Sequence, residues 1–375
     1  MRWPVAIAAS VLVLGACTSG DGGGDDDAAP TTARPATEAT TTTSTSLPAS
    51  AEQAVHTSGR CPGIGAAPSA DAPVLTWTVG RDVVHAGGCL VELERPAERL
   101  EWGGRGDRLL VDGHVAALAA GEPTTVAAEV TARGSLSRPT GTSILHVHRD
   151  RGLEKLKVGD VASPVALSFL SDVTAALYHP AGRSLVAAGK DGSGREGVFI
   201  ADNQGQGGRL LVDGAEAGHL TVREFAWTAT GALLFAADHD GTSHLHRLEI
   251  GEDEVATALE VPLSSGGVRN LVASPFAGGG VAAMTGDCDV WASRGGAVVG
   301  TGGLRGRPVG WLPDGVLAVI TSCDGPGDLV TVEVQGRSLA GAPEVVATGV
   351  SAAAVRAILP TAPEPPPVVP DAAPA

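Results

Sequence analysis

Trp311-Leu312-Pro313-Asp314-Gly315 and Trp227-Thr228-Ala229-Thr230-Gly231 are two instances of the pattern that decides the fold. In each, a hydrophobic run ends in an aromatic residue, three turn residues follow, and a glycine leads into a second apolar run. Proline presets a φ of about −65° in such a turn, and glycine accepts the positive φ that a Cβ atom would oppose. The pattern therefore predicts short antiparallel strands joined by tight turns.

Turns of this kind recur throughout residues 56–359. Their characteristic residues are Trp102 with Gly106, Gly141, Tyr178 with Gly182, Trp227 with Gly231, Gly278, and Trp311 with Gly315. Successive glycines are 35, 41, 49, 47 and 37 residues apart, and a four-stranded propeller blade takes about 40–50 residues. The spacing predicts an all-β fold, a β-propeller of four-stranded blades. A pair of β-sandwiches is the alternative.

Two groups of strand-like residues remain outside the six repeated units. One is the run 352–359, and the other contains the runs 74–79, 82–85 and 89–94. Paired across the ends of the domain, they would form one further blade and close the ring. Closure removes the long unpaired strand edge that an open ring would expose. We therefore expect seven blades rather than six.

The turn Tyr178-His179-Pro180-Ala181-Gly182, like that of residues 311–315, resembles the aromatic-Ser-Pro-Asp-Gly turn of the TolB-type, WD40-like β-propeller family. The resemblance covers most of residues 56–359 and implies a propeller domain there. TolB-like proteins are periplasmic partners in envelope complexes. The resemblance therefore also implies a binding role in the cell envelope.

The N-terminus has the features of an export signal. A basic start precedes an apolar run over residues 5–14, which is shorter than the roughly 20 residues of a membrane-spanning helix. The run ends in Leu14-Gly15-Ala16-Cys17, which resembles the lipobox of bacterial lipoproteins. The resemblance implies removal of residues 1–16 and attachment of a diacylglyceryl group, with acyl chains such as palmitate, to the Cys17 thiol, which would anchor the protein in the lipid bilayer at the outer face of the cytoplasmic membrane. An ordinary signal peptide with a chance cysteine is the alternative.

Two segments that flank the domain lack the apolar residues needed for a core. Residues 17–55 combine acidic residues with Thr, Ser, Ala and Pro, and residues 360–375 are rich in Pro and Ala. Such compositions cannot offset the chain entropy lost on folding, so we expect a disordered tether and a disordered tail. As a flexible coil, the tether would extend roughly 35 Å from the membrane.

Four cysteines remain once Cys17 is acylated, an even number in a chain expected to be exported. They allow three pairings, of which we favour Cys61–Cys89 with Cys288–Cys323. Cys288 follows the glycine of one repeat by ten residues, and Cys323 follows the next by eight. Both therefore occupy nearly matching places in neighbouring blades, where Cα atoms can approach within the roughly 7 Å that a disulfide needs.

Two histidine pairs, His146/His148 and His244/His246, place two imidazoles on one face of a predicted strand. The spacing typical of zinc ligands is missing around them. We interpret both pairs as polar patterning on solvent-facing strands.

Two acidic pairs, Asp238/Asp240 and Asp287/Asp289, also have alternate spacing. Neither lies in a complete calcium-binding loop that ends in a bidentate acid, so we interpret them as turn-forming residues. The sequence therefore predicts no metal site and no other cofactor.

The sequence contains no Gly-x-Ser-x-Gly, Ser-x-x-Lys or His-Glu-x-x-His motif. We therefore predict no catalytic residues, and a propeller-type hydrolase, lactonase or quinone-dependent dehydrogenase is the alternative. The net charge of −16 repels phosphate backbones, so we expect no nucleic-acid partner.

These observations lead to one functional hypothesis. We expect a monomeric recognition or scaffold module, held at the membrane through Cys17, that binds an envelope protein or glycan. A propeller suits this role because its blades present many loops on one rigid ring. An accessory role in the export or maturation of other envelope proteins is a further alternative.

Overall fold

The computed structural model describes residues 74–356, with gaps at 87, 94, 104–107, 113, 118–134, 137–141, 149, 158–159, 216–219, 240–241, 251–254, 265–266, 277, 295–296 and 336–337. All described residues belong to the second of two compact units, Ser46–Ala375. The predicted signal peptide, the lipidated Cys17, the tether, Cys61 and the tail lie outside them. Within the described ranges, no helix is long and apolar enough to cross a membrane.

The described residues form 27 strands and one short 3-10 turn at Pro313–Gly315. The first half of the chain contains β1 (Val74–Val79), β2 (Asp82–His85), β3 (Gly88–Glu92), β4 (Leu100–Gly103), β5 (Arg108–Val111), β6 (His114–Ala117), β7 (Ser135–Leu136), β8 (Ser143–His148), β9 (Gly152–Lys157), β10 (Asp160–Ala166), β11 (Ser171–Tyr178), β12 (Ser184–Lys190), β13 (Glu196–Asp202) and β14 (Arg209–Asp213). The second half contains β15 (Thr221–Trp227), β16 (Leu233–His239), β17 (Thr242–Ile250), β18 (Val255–Ser264), β19 (Val268–Ala273), β20 (Gly280–Thr285), β21 (Asp289–Arg294), β22 (Ala297–Arg305), β23 (Arg307–Trp311), β24 (Val316–Ile320), β25 (Gly327–Gln335), β26 (Ser338–Val350) and β27 (Ala353–Arg356).

These strands form seven antiparallel sheets, which we number as blades. Blade 1 is β27-β1-β2-β3, blade 2 is β4-β5-β6, and blades 3 to 7 take four consecutive strands each, from β7 to β26. The first strands of the blades, β27, β4, β7, β11, β15, β19 and β23, contact one another in that order, and β23 contacts β27. The inner strands therefore form a closed ring, and the domain is a seven-bladed β-propeller. The predicted fold, with a closing blade built from both ends of the domain, is confirmed.

The repeated turns join the inner strand of a blade to its second strand. The four described glycines have positive φ, at 79° for Gly182, 85° for Gly231, 68° for Gly278 and 81° for Gly315. In blade 5 the N–H of Gly231 donates to the carbonyl of Thr228 at 3.1 Å and closes the turn. Trp102 is the next-to-last residue of its inner strand β4, one residue before the strand ends, and Gly106 and Gly141 lie outside the described residues.

The turn of blade 4 contains a histidine where the turn of blade 6 has a serine. Nδ1 of His179 accepts the N–H of Ala181 at 3.1 Å, as Oγ of Ser274 accepts the N–H of Phe276 at 3.2 Å. The buried His179 ring packs edge-on against Trp227 of blade 5, with ring centroids 4.6 Å apart. Burial lowers the pKa of His179 to about 4, so its imidazole is neutral at neutral pH.

Hydrophobic residues of neighbouring blades pack face to face. Between blades 4 and 5, the cluster includes Ile200 from one side and Leu233 and Phe235 from the other. Between blades 6 and 7 the approach is so close that a Cβ atom on Gly280 would lie 2.5 Å from Cη2 of Trp311. Sheets in the ring therefore bury both of their faces, where a sheet of a β-sandwich buries one.

Two buried threonines fasten the closing blade. β1 pairs antiparallel with β27, and Oγ1 of Thr76 donates to the carbonyl of Ala354 at 3.0 Å. Oγ1 of Thr78 lies 2.9 Å from Oγ of Ser351, the residue that leads into β27. Side chains as well as the backbone therefore hold the two ends of the domain together.

Candidate functional site

The inner strands of blades 4 to 7 share an irregularity close to their first residues. Their pairing with the second strand shifts register after Ser171, Val222, Arg269 and Pro308. Such bulges twist a strand locally and redirect the side chains beside them. Asp172 and Asn270, at two of the bulges, have positive φ of 48° and 56°. Polar residues thus concentrate where these inner strands begin.

Three arginines lie at this end of the inner strands, one in each of blades 5, 6 and 7. Arg223, Arg269 and Arg307 precede the turn glycines Gly231, Gly278 and Gly315 by 8, 9 and 8 residues. We call these three arginines the arginine rim. The rim was not predicted from the sequence, although its near-constant distance from the turn glycines is a signal that the sequence contains.

Arg223 is paired with an acid of its own blade. Its guanidinium group donates to the carboxylate of Asp238, which also accepts a hydrogen bond from the hydroxyl of Ser243. Burial raises the pKa of Asp238, but the hydrogen bonds from Arg223 and Ser243 outweigh burial and hold that pKa below its usual value. Asp238 is therefore a structural partner of Arg223 rather than a turn residue, which corrects the sequence interpretation.

Blade 4 has the reverse arrangement at the same end. Its inner strand supplies the acid Asp172, and its second strand supplies Lys190, whose Nζ lies 3.0 Å from Oδ2 of Asp172. Both side chains are substantially exposed, so this pair contributes little stability. Blades 4 and 5 therefore each have an ion pair between the inner and second strands at this end. The acid is on the inner strand in blade 4 and on the second strand in blade 5.

Arg269 in blade 6 lies near an acid but forms no hydrogen bond with it. Its Nη1 lies 3.8 Å from Oδ1 of Asp324, which is beyond hydrogen-bond distance. The side chains of Arg269 and Asp324 are 58% and 84% exposed. Water and salt screen such a pair, so the guanidinium group of Arg269 is available to a stronger acceptor.

Arg307 in blade 7 is half-buried and bound to backbone oxygens. Its Nη2 donates to the carbonyl of Gly325 at 2.7 Å and to that of Ser351 at 3.2 Å. Burial lowers the pKa of Arg307, and the charge of Asp324 opposes that effect. Among the described residues, no carboxylate forms a hydrogen bond with Arg307. A partly desolvated positive charge is thus left without a bound acid.

The disulfide Cys288–Cys323 fixes the surroundings of Arg269 and Arg307. It joins the turns that follow the second strands of blades 6 and 7, with Cα atoms 5.5 Å apart, and it is the pairing that the spacing favoured. Asp324 and Gly325, the residues contacted by the two arginines, directly follow Cys323. Cys89 is also disulfide-bonded, and its predicted partner Cys61 lies outside the described residues.

A carboxylate connects the inner strands of blades 5 and 6. Oε2 of Glu224 accepts the backbone N–H of Leu271 at 2.6 Å. Leu271 lies in the bulge of β19, where the regular ladder is interrupted. Glu224 thus supplies an acceptor that the neighbouring strand needs, and it holds the two inner strands together below the arginine rim.

The interpretation of His146 and His148 as solvent-facing residues is wrong for His146. Its side chain is 2% exposed, and its Nδ1 lies 3.7 Å from Oε2 of buried Glu154. Glu154 also meets Nε of Arg151 at 2.7 Å. Burial lowers the pKa of His146, an effect that Glu154 opposes. His146 and Glu154 are cross-strand neighbours on one face of blade 3, and both are buried, so this face is covered rather than open to solvent.

The second histidine pair is also partly buried. His246 stacks on Phe235, with ring centroids 4.6 Å apart and planes 6° from parallel, whereas His244 is half-exposed. The solvent-facing interpretation is therefore wrong for His246. In the part of the chain that the structure describes, no group of three or more His, Cys, Asp or Glu residues is arranged to hold a metal.

The ring of seven sheets with a polar rim defines the class of protein as a β-propeller. No family model matches the sequence, and no curated protein matches it. Similar solved structures include a putative TolB from Agrobacterium tumefaciens, with 13% identity, a TM-score of 0.42, and coverage of 76% of this chain and 98% of that one. An oligogalacturonate lyase in complex with manganese has 12% identity, a TM-score of 0.45, and coverage of 70% and 81%. A chain of a mitotic checkpoint complex has 16% identity, a TM-score of 0.44, and coverage of 70% and 89%. At these identities the likeness concerns the fold alone.

Proposed function

We propose that the protein is an exported, lipid-anchored recognition module whose arginine rim binds a component of the cell envelope. The observation that carries the proposal is the state of Arg307, a half-buried guanidinium group whose hydrogen-bond acceptors among the described residues are the carbonyls of Gly325 and Ser351. The charge of Asp324 acts on this group without a hydrogen bond between the two side chains. A half-buried charge that lacks a hydrogen-bonded acid is unfavourable, so a site that keeps one is better explained by a ligand than by stability.

Rigidity supports the same proposal. The ring is closed by Thr76 and Thr78, and the rim of blades 6 and 7 is bridged by the Cys288–Cys323 disulfide. A binding group held by packed strands loses little conformational entropy when its ligand arrives. The rim therefore has the preorganisation that a recognition surface needs.

The proposed cellular location of the protein rests on its sequence. Acylation of Cys17 would hold the chain at the membrane, and residues 18–55 would let the propeller reach an envelope component. A disulfide in the domain accords with an oxidising compartment outside the cytoplasm. These features favour an extracytoplasmic partner.

A crosslinking pull-down from intact cells tests the proposal. The full-length protein should enrich a specific envelope component, and the double variant Arg269→Gln with Arg307→Gln should lose it. Arg247→Gln is the matched control, because Arg247 is also an exposed arginine paired with an acid, Glu249 of the same strand. Equal recovery with the rim variant would contradict binding at the rim.

A further inference from the structure

We propose that the ligand of the arginine rim is an acidic peptide segment, bound in an extended form with its carboxylates on Arg269 and Arg307. This inference rests on the proposed function and specifies the chemistry of the partner. Its basis is the set of unused hydrogen-bond donors on the two arginines and the turn that brings them together.

The donors of Arg307 are only partly used. A guanidinium group has five N–H donors in a planar fork. Arg307 directs Nη2 to two carbonyls, which leaves the donors on Nε and Nη1 without an acceptor among the described residues. A carboxylate is the acceptor that matches this fork, and the half-buried setting strengthens the bond.

Arg269 supplies a second position for the same ligand. Its Nη1 lies 3.8 Å from Asp324 and forms no hydrogen bond with it, so the guanidinium group can still donate to the carboxylate of a ligand. Arg223 does not join the site, because its charge is already paired with the carboxylate of Asp238, which its Nε and Nη2 contact. The structure thus separates two receptive arginines from a third whose charge is already paired with a hydrogen-bonded acid.

The two receptive arginines converge on one turn. Arg269 approaches Asp324, and Arg307 binds the carbonyl of the next residue, Gly325. Their strands β19 and β23 are adjacent in the ring. In an extended peptide, side chains two residues apart lie on one face at a spacing of roughly 7 Å. Acidic residues at alternate positions could therefore reach both guanidinium groups at once.

The overall charge of the protein favours a peptide over a polyanionic glycan. The chain carries a net charge of −16, and a polymer with a negative charge on every unit would be repelled along its whole length. A peptide can confine its acidic groups to two positions and present neutral residues elsewhere. The two carboxylates are then attracted to the rim arginines, while the neutral rest of the peptide is not repelled by the negative charge of the protein.

Fluorescence anisotropy with the full chain tests this inference. The probe is a labelled, otherwise neutral peptide with Asp at two alternate positions, and the control peptide replaces both Asp residues by Asn. We expect the Asp peptide to bind, with an affinity that falls as the salt concentration is raised. We expect it to bind at least about tenfold more weakly to the Arg269→Gln, Arg307→Gln variant. Arg307→Lys keeps the charge but loses the fork, so it should give an intermediate affinity. Arg247→Gln should bind like the wild type.

Several outcomes would overturn the inference. One is failure of the Asp peptide to bind, and another is equal binding by the rim variant. Tighter rim-dependent binding of alginate, a carboxylated polysaccharide, would assign the site to a glycan instead. If the pull-down is rim-dependent while the peptide does not bind, only the ligand chemistry is wrong. If the pull-down is independent of the rim, the proposed function itself is wrong.

Discussion

The indole Nε1 of Trp102 donates a hydrogen bond to Oγ1 of Thr76, 3.0 Å away, and so ties blade 2 to the closing blade. Thr76 in turn donates to the carbonyl of Ala354. The guanidinium group of Arg356 lies over the Trp102 ring, 5.4 Å from its centroid. One threonine hydroxyl therefore connects three strands at the place where the ring closes.

Removal of this hydroxyl should weaken the closure. We expect Thr76→Val to lower the free energy of unfolding by about 2 kcal/mol, because a buried donor and a buried acceptor both lose a partner while the side-chain volume is kept. Urea denaturation followed by circular dichroism measures the change. Thr221→Val, at an exposed position, is the control and should be nearly neutral. Equal stability of the two variants would show that the backbone alone closes the ring.

The Cys288–Cys323 disulfide should contribute both stability and binding. It closes a loop of 35 residues, so its replacement by two serines should cost about 3 to 4 kcal/mol in the chain-entropy model. Because the bond also fixes the turn beside Arg269 and Arg307, the same variant should bind the Asp peptide more weakly. Unchanged peptide affinity in the folded variant would limit the disulfide to a structural role.

Acid should destabilise the protein through His179. Its pKa is about 4 in the fold and about 6.5 in an unfolded chain, so folding favours the neutral ring. The stability that results is present above pH 6.5 and is lost as the pH falls towards 4, by up to about 3 kcal/mol. His179→Ser keeps a turn acceptor, as Ser274 does, and should flatten the pH dependence of urea denaturation over this range. The same slope in both proteins would exclude His179 as its cause.

A methyl group at Gly280 should disturb the seam between blades 6 and 7. A Cβ atom there would lie 2.4 Å from the carbonyl oxygen of Ser293 and 2.5 Å from the Trp311 ring. We expect Gly280→Ala to cost about 1–3 kcal/mol through overpacking. Gly192→Ala is the control, since a Cβ at Gly192 would have no atom within 4 Å. Thermal unfolding compares the two variants, and similar melting temperatures would contradict the close packing.

Replacement of Cys17 should release the protein from the membrane. If its thiol carries the anchor, Cys17→Ser should move the protein from the membrane fraction to the soluble fraction and abolish labelling with a palmitate analogue. Fractionation and metabolic labelling of intact cells measure both effects. Continued labelling of the variant would mean that another residue carries the lipid.

Local chemistry explains why the turns were predictable. Gly182, Gly231, Gly278 and Gly315 need a positive φ, a requirement that depends on their own residues and immediate neighbours. Their repetition at blade-like intervals was enough to predict the ring, and the strand-like runs left at both ends of the domain predicted the closing blade. The spacing of the arginine rim is visible in the sequence, but its role is not, because that role depends on which acid each arginine meets in space.

The histidine pairs show a second limit of sequence reasoning. The alternation of side chains along a strand correctly places His146 with His148, and His244 with His246, on one face. It does not reveal that the face is covered, since a propeller sheet has no solvent face of the kind that a sandwich has. His146 and His246 are buried, each beside a cross-strand neighbour of its own blade, Glu154 and Phe235.

The pairing of β1 with β27 has a consequence for the assembly of the molecule. Thr76 and Ala354 are 278 residues apart in sequence, so the contact that completes blade 1 forms only after nearly the whole domain has been synthesised. Until then, the edge of β1 that pairs with β27 is unpaired, and the nascent chain exposes an edge prone to aggregation. The chain thus cannot complete its native topology before its last strand is available for pairing.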